Sequence, residues 1–357
     1  MVSYFFTTLF SSVLLASVSA YATAPEPPTG FGSTIASNVV PQVAGIDVSV
    51  EDTVLATSTE IIFTGDIMLA RNVETLMRSY GEEYPFGTVS DRIQEADIAV
   101  GNFEAAMPSV HQQTESMTFN FSVHEQYLDR LEAAGFSHLS QANNHGYDYG
   151  KEGYENARTA MIKRSMTPFG YPRGISGTSV TYFDTAVGER IALIGLEAFS
   201  NTYSNEEIKE LLTSASNKSD FQIVYIHWGN EYELTHSAAQ KKLAKRLIDA
   251  GADLIVGHHP HVVQDIEIYN DVLIFYSLGN FVFDQYFSQD VQEGLLISLH
   301  YEAGERSIEL LPITSIGSKS LPRLMPAHEK GIFLRALSER SDTALSSMIR
   351  AGELTFW

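Results

Sequence analysis

The chain has 357 residues, with 23 Lys+Arg against 44 Asp+Glu, a formal charge of −21 and 44% hydrophobic residues. That much apolar material excludes a disordered chain, and the acidic balance argues against nucleic-acid binding, which rests on Lys and Arg neutralising phosphates. Cysteine is absent, which excludes disulfides, thiolate metal sites and cysteine nucleophiles.

The first twenty residues, MVSYFFTTLFSSVLLASVSA, carry an apolar stretch from Phe5 to Val18. It is shorter than the roughly 20 apolar residues of a membrane span, and small residues at Ala20 and Ala22 offer cleavage positions. We expect a signal peptide or membrane anchor over 1–22 and export from the cytoplasm. Residues 23–59, rich in Pro, Ser, Thr, Val and Ala, read as a linker with one short strand near Val48–Val54.

From Glu60 onward, short β-branched runs alternate with amphipathic stretches, the pattern of an α/β layer architecture. Strands are expected at Glu60–Thr64, Asp97–Val100, Ser137–Ser140, Arg190–Gly195, Phe221–Ile226, Asp253–Val256, Val272–Tyr276 and Leu295–His300, with a β-rich piece over Ser307–Ile316. Ser122-Val-His-Glu125 has the spacing of a capping box opening a helix that Gly135 stops. Further helices are expected over Gly150–Arg164 and His236–Ala250. The main domain then runs over 60–316. A mostly helical extension follows over 317–357, with one helix from Phe333 to Arg350.

The chemistry lies just beyond the strands. Five apolar runs end in Gly65-Asp66, in Gly101-Asn102-Phe-Glu104, in Asn143-Asn144-His145 with Asp148, in His227-Trp-Gly-Asn-Glu231, and in Gly257-His258-His259-Pro-His261. In open α/β folds ligands bind beyond the carboxyl ends of the strands. Asp, Glu, Asn and His without Cys make an oxygen and nitrogen donor set suited to one or two divalent ions such as Mn, Zn, Fe or Mg. His259 and His261, two apart, would share one side of an extended segment. Asp66 or Glu104 can bridge two cations, and Asn144 can ligate through its amide oxygen. His145, one residue on, is a candidate general acid or phosphate donor. Two cations about 3.5–4 Å apart would activate water and clamp an oxyanion. A sixth segment, Tyr276 to Gln285, offers a tight turn at Gly279-Asn280 and a reach toward substrate at Asp284.

These segments resemble the CapA family of bacterial poly-γ-glutamate capsule synthesis proteins. The matching residues are Gly65-Asp66-Ile-Met-Leu, Gly101-Asn-Phe-Glu104, Ala142-Asn-Asn-His145 with Asp148-Tyr-Gly150, His227-Trp-Gly with Glu231, Gly257-His-His-Pro-His261 with Gln264, and Ser277-Leu-Gly-Asn-Phe281. The family is similar in turn to calcineurin-like metallophosphoesterases. The resemblance implies a metallo-dependent phosphatase-like four-layer α-β-β-α sandwich. It implies Asp66, Glu104, Asn144, His227, His259 and His261 as metal ligands, and His145 as catalytic acid with Asp148 beside it. Asn102, Glu231, His258, Asn280 and Asp284 remain as candidate substrate contacts. Two departures stand out. Position 68 is Met where the phosphoesterases carry Asp-x-His, and Asn102-Phe-Glu104 replaces Gly-Asp-x-x-Asp. Asp148 or Glu231 is then the candidate to replace the missing ligand. The implied function is a metal-dependent hydrolase-like step in poly-γ-glutamate capsule metabolism at the cell envelope. The alternatives are an accessory subunit of a membrane-bound polymer synthase and a small phosphoester phosphatase. Expected partners are poly-γ-glutamate or a related anionic polymer and membrane synthase subunits.

Overall fold

The computed structural model describes residues 58–356 except 116, 303 and 304. The expected leader, the linker and its short strand lie outside the described residues, apart from Ser58 and Thr59, which open the first strand. Among the described residues no helix is long and apolar enough to cross a membrane.

The strands are β1 (Ser58–Ile67), β2 (Ile98–Phe103), β3 (His138–Ser140), β4 (Thr167–Phe169), β5 (Val180–Asp184), β6 (Arg190–Glu197), β7 (Phe221–His227), β8 (Leu254–His258), β9 (Ile266–Tyr269) and β10 (Val272–Phe275). They continue with β11 (Asn280–Val282), β12 (Glu293–Glu302), β13 (Glu305–Thr314), β14 (Arg323–Leu324) and β15 (Glu353–Phe356). The helices are α1 (Arg71–Tyr80), α2 (Ser90–Gln94), α3 (Leu128–Ala133), α4 (Gly150–Lys163), α5 (Asn205–Ser216), α6 (Ala238–Asp249), α7 (Ala327–Arg340) and α8 (Ser346–Ala351).

One sheet runs β14-β13-β12-β1-β2-β3-β4, with β11 added beside β1 and β15 beside β13. The other runs β5-β6-β7-β8-β10-β9. The strands from β1 to β4 are parallel, as are β6, β7, β8 and β10. Strand alternation assigns the layers, because successive side chains point to opposite faces. Ile61, Phe63 and Val100 of the first sheet share one core with Ile191, Leu193, Ile223, Tyr225 and Val256 of the second. Their neighbours Ile62 and Ala99 face the other way, onto Val73, Met77, Leu131 and Met161 of helices α1, α3 and α4. On the far side Ile194, Val224, Ile226 and Ile255 meet Leu212 and Leu247 of α5 and α6. The result is helix, sheet, sheet, helix. Both sheets are covered on both faces, which is why their strands read as unbroken apolar runs.

Several local readings need correction. Ser122 caps no helix, because its hydroxyl lies 2.7 Å from His111 Nδ1. The turn Glu125–Tyr127 is capped instead by the side chain of His124, and α3 follows it. The helix expected from His236 begins at Ala238, behind a capping box of Ser237 and Gln240. The single C-terminal helix is broken after Arg340, where Ser341 turns extended and its hydroxyl accepts from Ile266 N. Beyond α8, β15 joins β13, and Phe333, Leu337, Ile349 and Leu354 complete the core between the sheets. Strands β4, β5, β9, β11, β14 and β15 escaped the pattern reading. They are short or half-buried, so they lack a long apolar run.

Candidate metal centre

The polar residues that end the strands fall into register. Across the first sheet Asp66 is paired with Asn102 on one side and Asn280 on the other. Across the second, Glu197, His227 and His258 stand side by side at the ends of β6, β7 and β8. Such alignment is what a parallel sheet makes of side chains placed at equal depth, and it brings both rows to one end of the sandwich. Gly65 permits the close approach of β1 to the turn before β11, since a Cβ there would stand 1.8 Å from the carbonyl oxygen of Gly279.

Two groups of side chains result. Ligand atoms of Asp66, Glu104 and His227 lie within 4.8 Å of one another and are buried. Those of Glu231, His259 and His261 do the same, with Glu231 exposed and the two imidazoles buried. The groups adjoin. His261 Nδ1 is 3.3 Å from Asp66 Oδ2, its Nε2 is 3.9 Å from Glu104, and the rings of His227 and His259 are 4.6 Å apart. Asn144 Oδ1 stands 2.8 Å from His227 Nε2. Asp66 also accepts from Asn102 Nδ2 at 2.8 Å and from the backbone N–H of His259 at 3.2 Å.

His259 and His261 do not share the face of an extended segment. Both adopt left-handed backbone, with φ of 96° and 58°. Local strain of this kind costs about 1–3 kcal/mol per residue and persists only where the surroundings fix it. Here it turns both rings inward, 5.7 Å apart.

The donor set fits a divalent cation. Both carboxylate oxygens of Glu104 and both ring nitrogens of His259 are buried without a hydrogen-bond partner. Each such group costs about 1–3 kcal/mol unless something satisfies it. Oxygen and imidazole donors are the natural partners of Mn, Zn or Fe, and a cation placed among them would satisfy these atoms. The electrostatics agree. Burial, then the negative charge of Asp66, pushes the Glu104 carboxyl well above its ordinary range. Burial alone would also raise Asp66, but His261 beside it holds it well below. Burial, reinforced by His261, lowers His259 to about 3, so it presents a neutral imidazole. Burial and His259 likewise hold His227 neutral.

Met68 is fully buried in the core against the helices, and its sulfur accepts from Ala70 N at 3.0 Å. Of the two candidates to replace the missing ligand, Glu231 joins His259 and His261, whereas Asp148 does not join either group. Asp148 Oδ2 lies 2.8 Å from His145 Nδ1 and accepts from Phe121 N at 2.7 Å. It therefore orients His145, whose ring stacks on Phe121 at 3.9 Å.

Other candidates stand apart. His258 is buried, packs on Tyr225 at 3.8 Å between centroids, and belongs to neither group. Asn280 Oδ1 lies 3.0 Å from His261 Nδ1, so it orients a ligand-type ring. Asp284 is engaged by Arg71 and by Asn72 N. Three residues were missed. Asn143 locks the loop after β3, donating to Asn102 Oδ1 and Phe103 O while accepting from His145 N. Arg71 lies over Phe121 at 4.7 Å and Phe283 at 5.6 Å, rings that also flank His145 and His261. Glu197 accepts from Phe199 N and Ser200 N and so fixes Phe199, whose ring is 4.4 Å from His259. The doubled Asn143-Asn144 was a signal in sequence; Arg71 and Glu197 carried none.

The chain is 30% identical over 304 residues to the capsule biosynthesis protein CapA of Bacillus anthracis, covering 79% of this chain and 74% of that one. It is 31% identical over 313 residues to the PGA biosynthesis protein CapA of Bacillus subtilis, covering 82% and 81%. A crystal structure of a hypothetical protein from Thermus thermophilus superposes with a TM-score of 0.48 at 15% identity, covering 75% of this chain and 100% of that one. Residues 60–285 match the family described as bacterial capsule synthesis protein PGA_cap, and the chain belongs to that family.

Proposed function

We propose that this chain is a metal-dependent hydrolase of poly-γ-glutamate or a related anionic capsule polymer, acting outside the cytoplasmic membrane. The observation that carries the reading is the pair of adjoining donor groups with the orphaned atoms of Glu104 and His259 between them. Asp66, Glu104 and His227, with Asn144, would hold one cation, and Glu231, His259 and His261 a second. A bound divalent cation supplies Lewis acidity, polarising a substrate oxygen and lowering the pKa of water.

The chain's own residues do the rest. Asp148 holds Nδ1 of His145, which leaves Nε2 to give a proton to the departing nitrogen or oxygen as water adds at the acyl carbon or phosphorus. Phe121 fixes the ring's plane, and Arg71, paired with Asp284, packs on Phe121. The apolar leader in the sequence supports export, and the names of the two Bacillus relatives support the polymer.

The test is to purify residues 23–357, measure bound metal, and assay γ-glutamyl and phosphoester substrates with and without chelator. Metal binding with chelator-sensitive cleavage of a γ-glutamyl bond supports the reading; no metal at micromolar supply and no cleavage removes it. Release of phosphate from small esters alone would instead select a phosphatase. The burial of Met68, which removes one imidazole from the donor set, favours a second reading as a non-catalytic accessory subunit of a polymer synthase. Under that reading His145→Ala and His259→Ala restore capsule polymer as well as wild type.

A further inference from the structure

We propose that the groove between the loops after β6 and β7 and the flank of α6 binds a strand of the anionic polymer beside the metal centre. The inference rests on the hydrolase reading above and adds to it where the polymer lies. The groove has a volume of about 400 Å³, within the range of ligand-binding clefts. It adjoins the centre. Phe199 lines it and lies 4.4 Å from His259, and Gly229 and Asn230 line it between His227 and Glu231.

Its charge runs against that of the whole chain. Acidic residues outnumber basic ones by 44 to 23, yet no Asp or Glu lines this groove, while Lys242 and Arg246 do. Helix α6 carries four cations, Lys241, Lys242, Lys245 and Arg246, in twelve residues. Two of them are occupied elsewhere. Lys241 pairs with Glu267 at 2.7 Å, and Lys245 sits over the Tyr269 ring at 4.6 Å. Lys242 and Arg246, one turn apart on the groove side, have no carboxylate partner among the described residues. Arg246 is held in place by neutral acceptors, Tyr203 O and Asn205 Oδ1, both at 2.6 Å, so its charge is fixed but not neutralised. Thr202 and, at the inner end, Asn230 offer exposed polar groups, whereas Tyr203 and Gln240 are buried and bonded elsewhere.

A ligand that matches this surface is extended, carries regularly spaced carboxylates and offers amides to hydrogen-bond. A γ-linked glutamyl strand has one free α-carboxylate per residue and an amide in every link. A strand with carboxylates at Lys242 and Arg246 would run on past Phe199 toward His259.

The experiment measures the affinity of a fluorescently labelled poly-γ-glutamate oligomer for the full chain by anisotropy, in chelator so that no cation contributes. Lys242→Glu is expected to weaken binding about three- to tenfold, the range for reversing one exposed charge contact, and to flatten the salt dependence. Lys245→Glu, with the same charge change on the same helix outside the groove, leaves affinity within twofold of wild type. Equal affinities for wild type and Lys242→Glu would overturn the groove while leaving the hydrolase reading intact. Equal losses in both variants would reduce the effect to general charge and overturn it as well. Binding of heparin or polyphosphate but not of poly-γ-glutamate would overturn the assigned ligand, and with it the polymer named in the hydrolase reading.

Discussion

Replacing Glu104 by Gln separates stability from metal binding. Glu104 is fully buried, both of its oxygens lack partners, and the Asp66 carboxylate is close by. In the absence of a cation it therefore destabilises the fold. Gln keeps the shape, removes the ionisable group and offers an amide donor to the Asp66 carboxylate, so the metal-free variant should be more stable by about 1.5–3 kcal/mol, the worth of a hydrogen bond to a charged acceptor. For a domain of this size about 1 kcal/mol shifts Tm by roughly 2–4 °C, so the variant in chelator should melt roughly 3–12 °C above wild type. With metal the order reverses. A cation at one hundred times its Kd adds about 2.7 kcal/mol to the wild type, and the variant, short of a charged donor, gains little. Scanning calorimetry in chelator and then with added Mn reads both. The reasoning is refuted if the variant melts below wild type in chelator, or if both proteins gain the same shift from metal.

The remaining predictions concern the proposed acid, the fold and pH. Asp148→Asn should lower kcat about 10²–10⁴-fold on the hydrolysed substrate, with metal content unchanged, because His145 loses its orienting carboxylate; a kcat within threefold of wild type contradicts the role. Gly65→Ala places a methyl group 1.8 Å from the Gly279 carbonyl, so β1 and β11 must separate. The expected loss is about 3 kcal/mol or more in urea unfolding. Burial lowers His138 to about 4 from 6.5, so the unfolded chain takes up a proton there before the folded one does. Its contribution is fully present above pH 6.5 and is lost as pH falls through 6.5 toward 4, a total of about 3 kcal/mol. His138→Leu should remove that part of the pH dependence in denaturation curves at pH 7 and 5.

Much of the centre was legible because each strand is an apolar run with an abrupt polar end. That signal located Asp66, Asn102, Glu104, His227 and the His258–His261 segment without any knowledge of pairing. The rest depended on tertiary contacts. The left-handed backbone of His259 and His261, just past the end of β8, has no marker in the local sequence. His258 reads as a substrate contact beside two ligands, but its position at the end of β8 turns it onto Tyr225. Asp284 looked free for substrate because Arg71 lies 213 positions away. Glu231 gained its place only because the loop after β7 folds back over His259 and His261. The break between α7 and α8 rests on Ser341 and Asp342 meeting β9, a contact without a trace in the helix's own sequence.

The most direct test of the central claim is anomalous diffraction from crystals of the protein grown with Mn. Peaks are expected among Asp66, Glu104 and His227 and among Glu231, His259 and His261, and are expected to vanish in a Glu104→Gln, His259→Ala double variant. Saturating Mn that leaves both places empty, or that appears only at surface carboxylates, would contradict it.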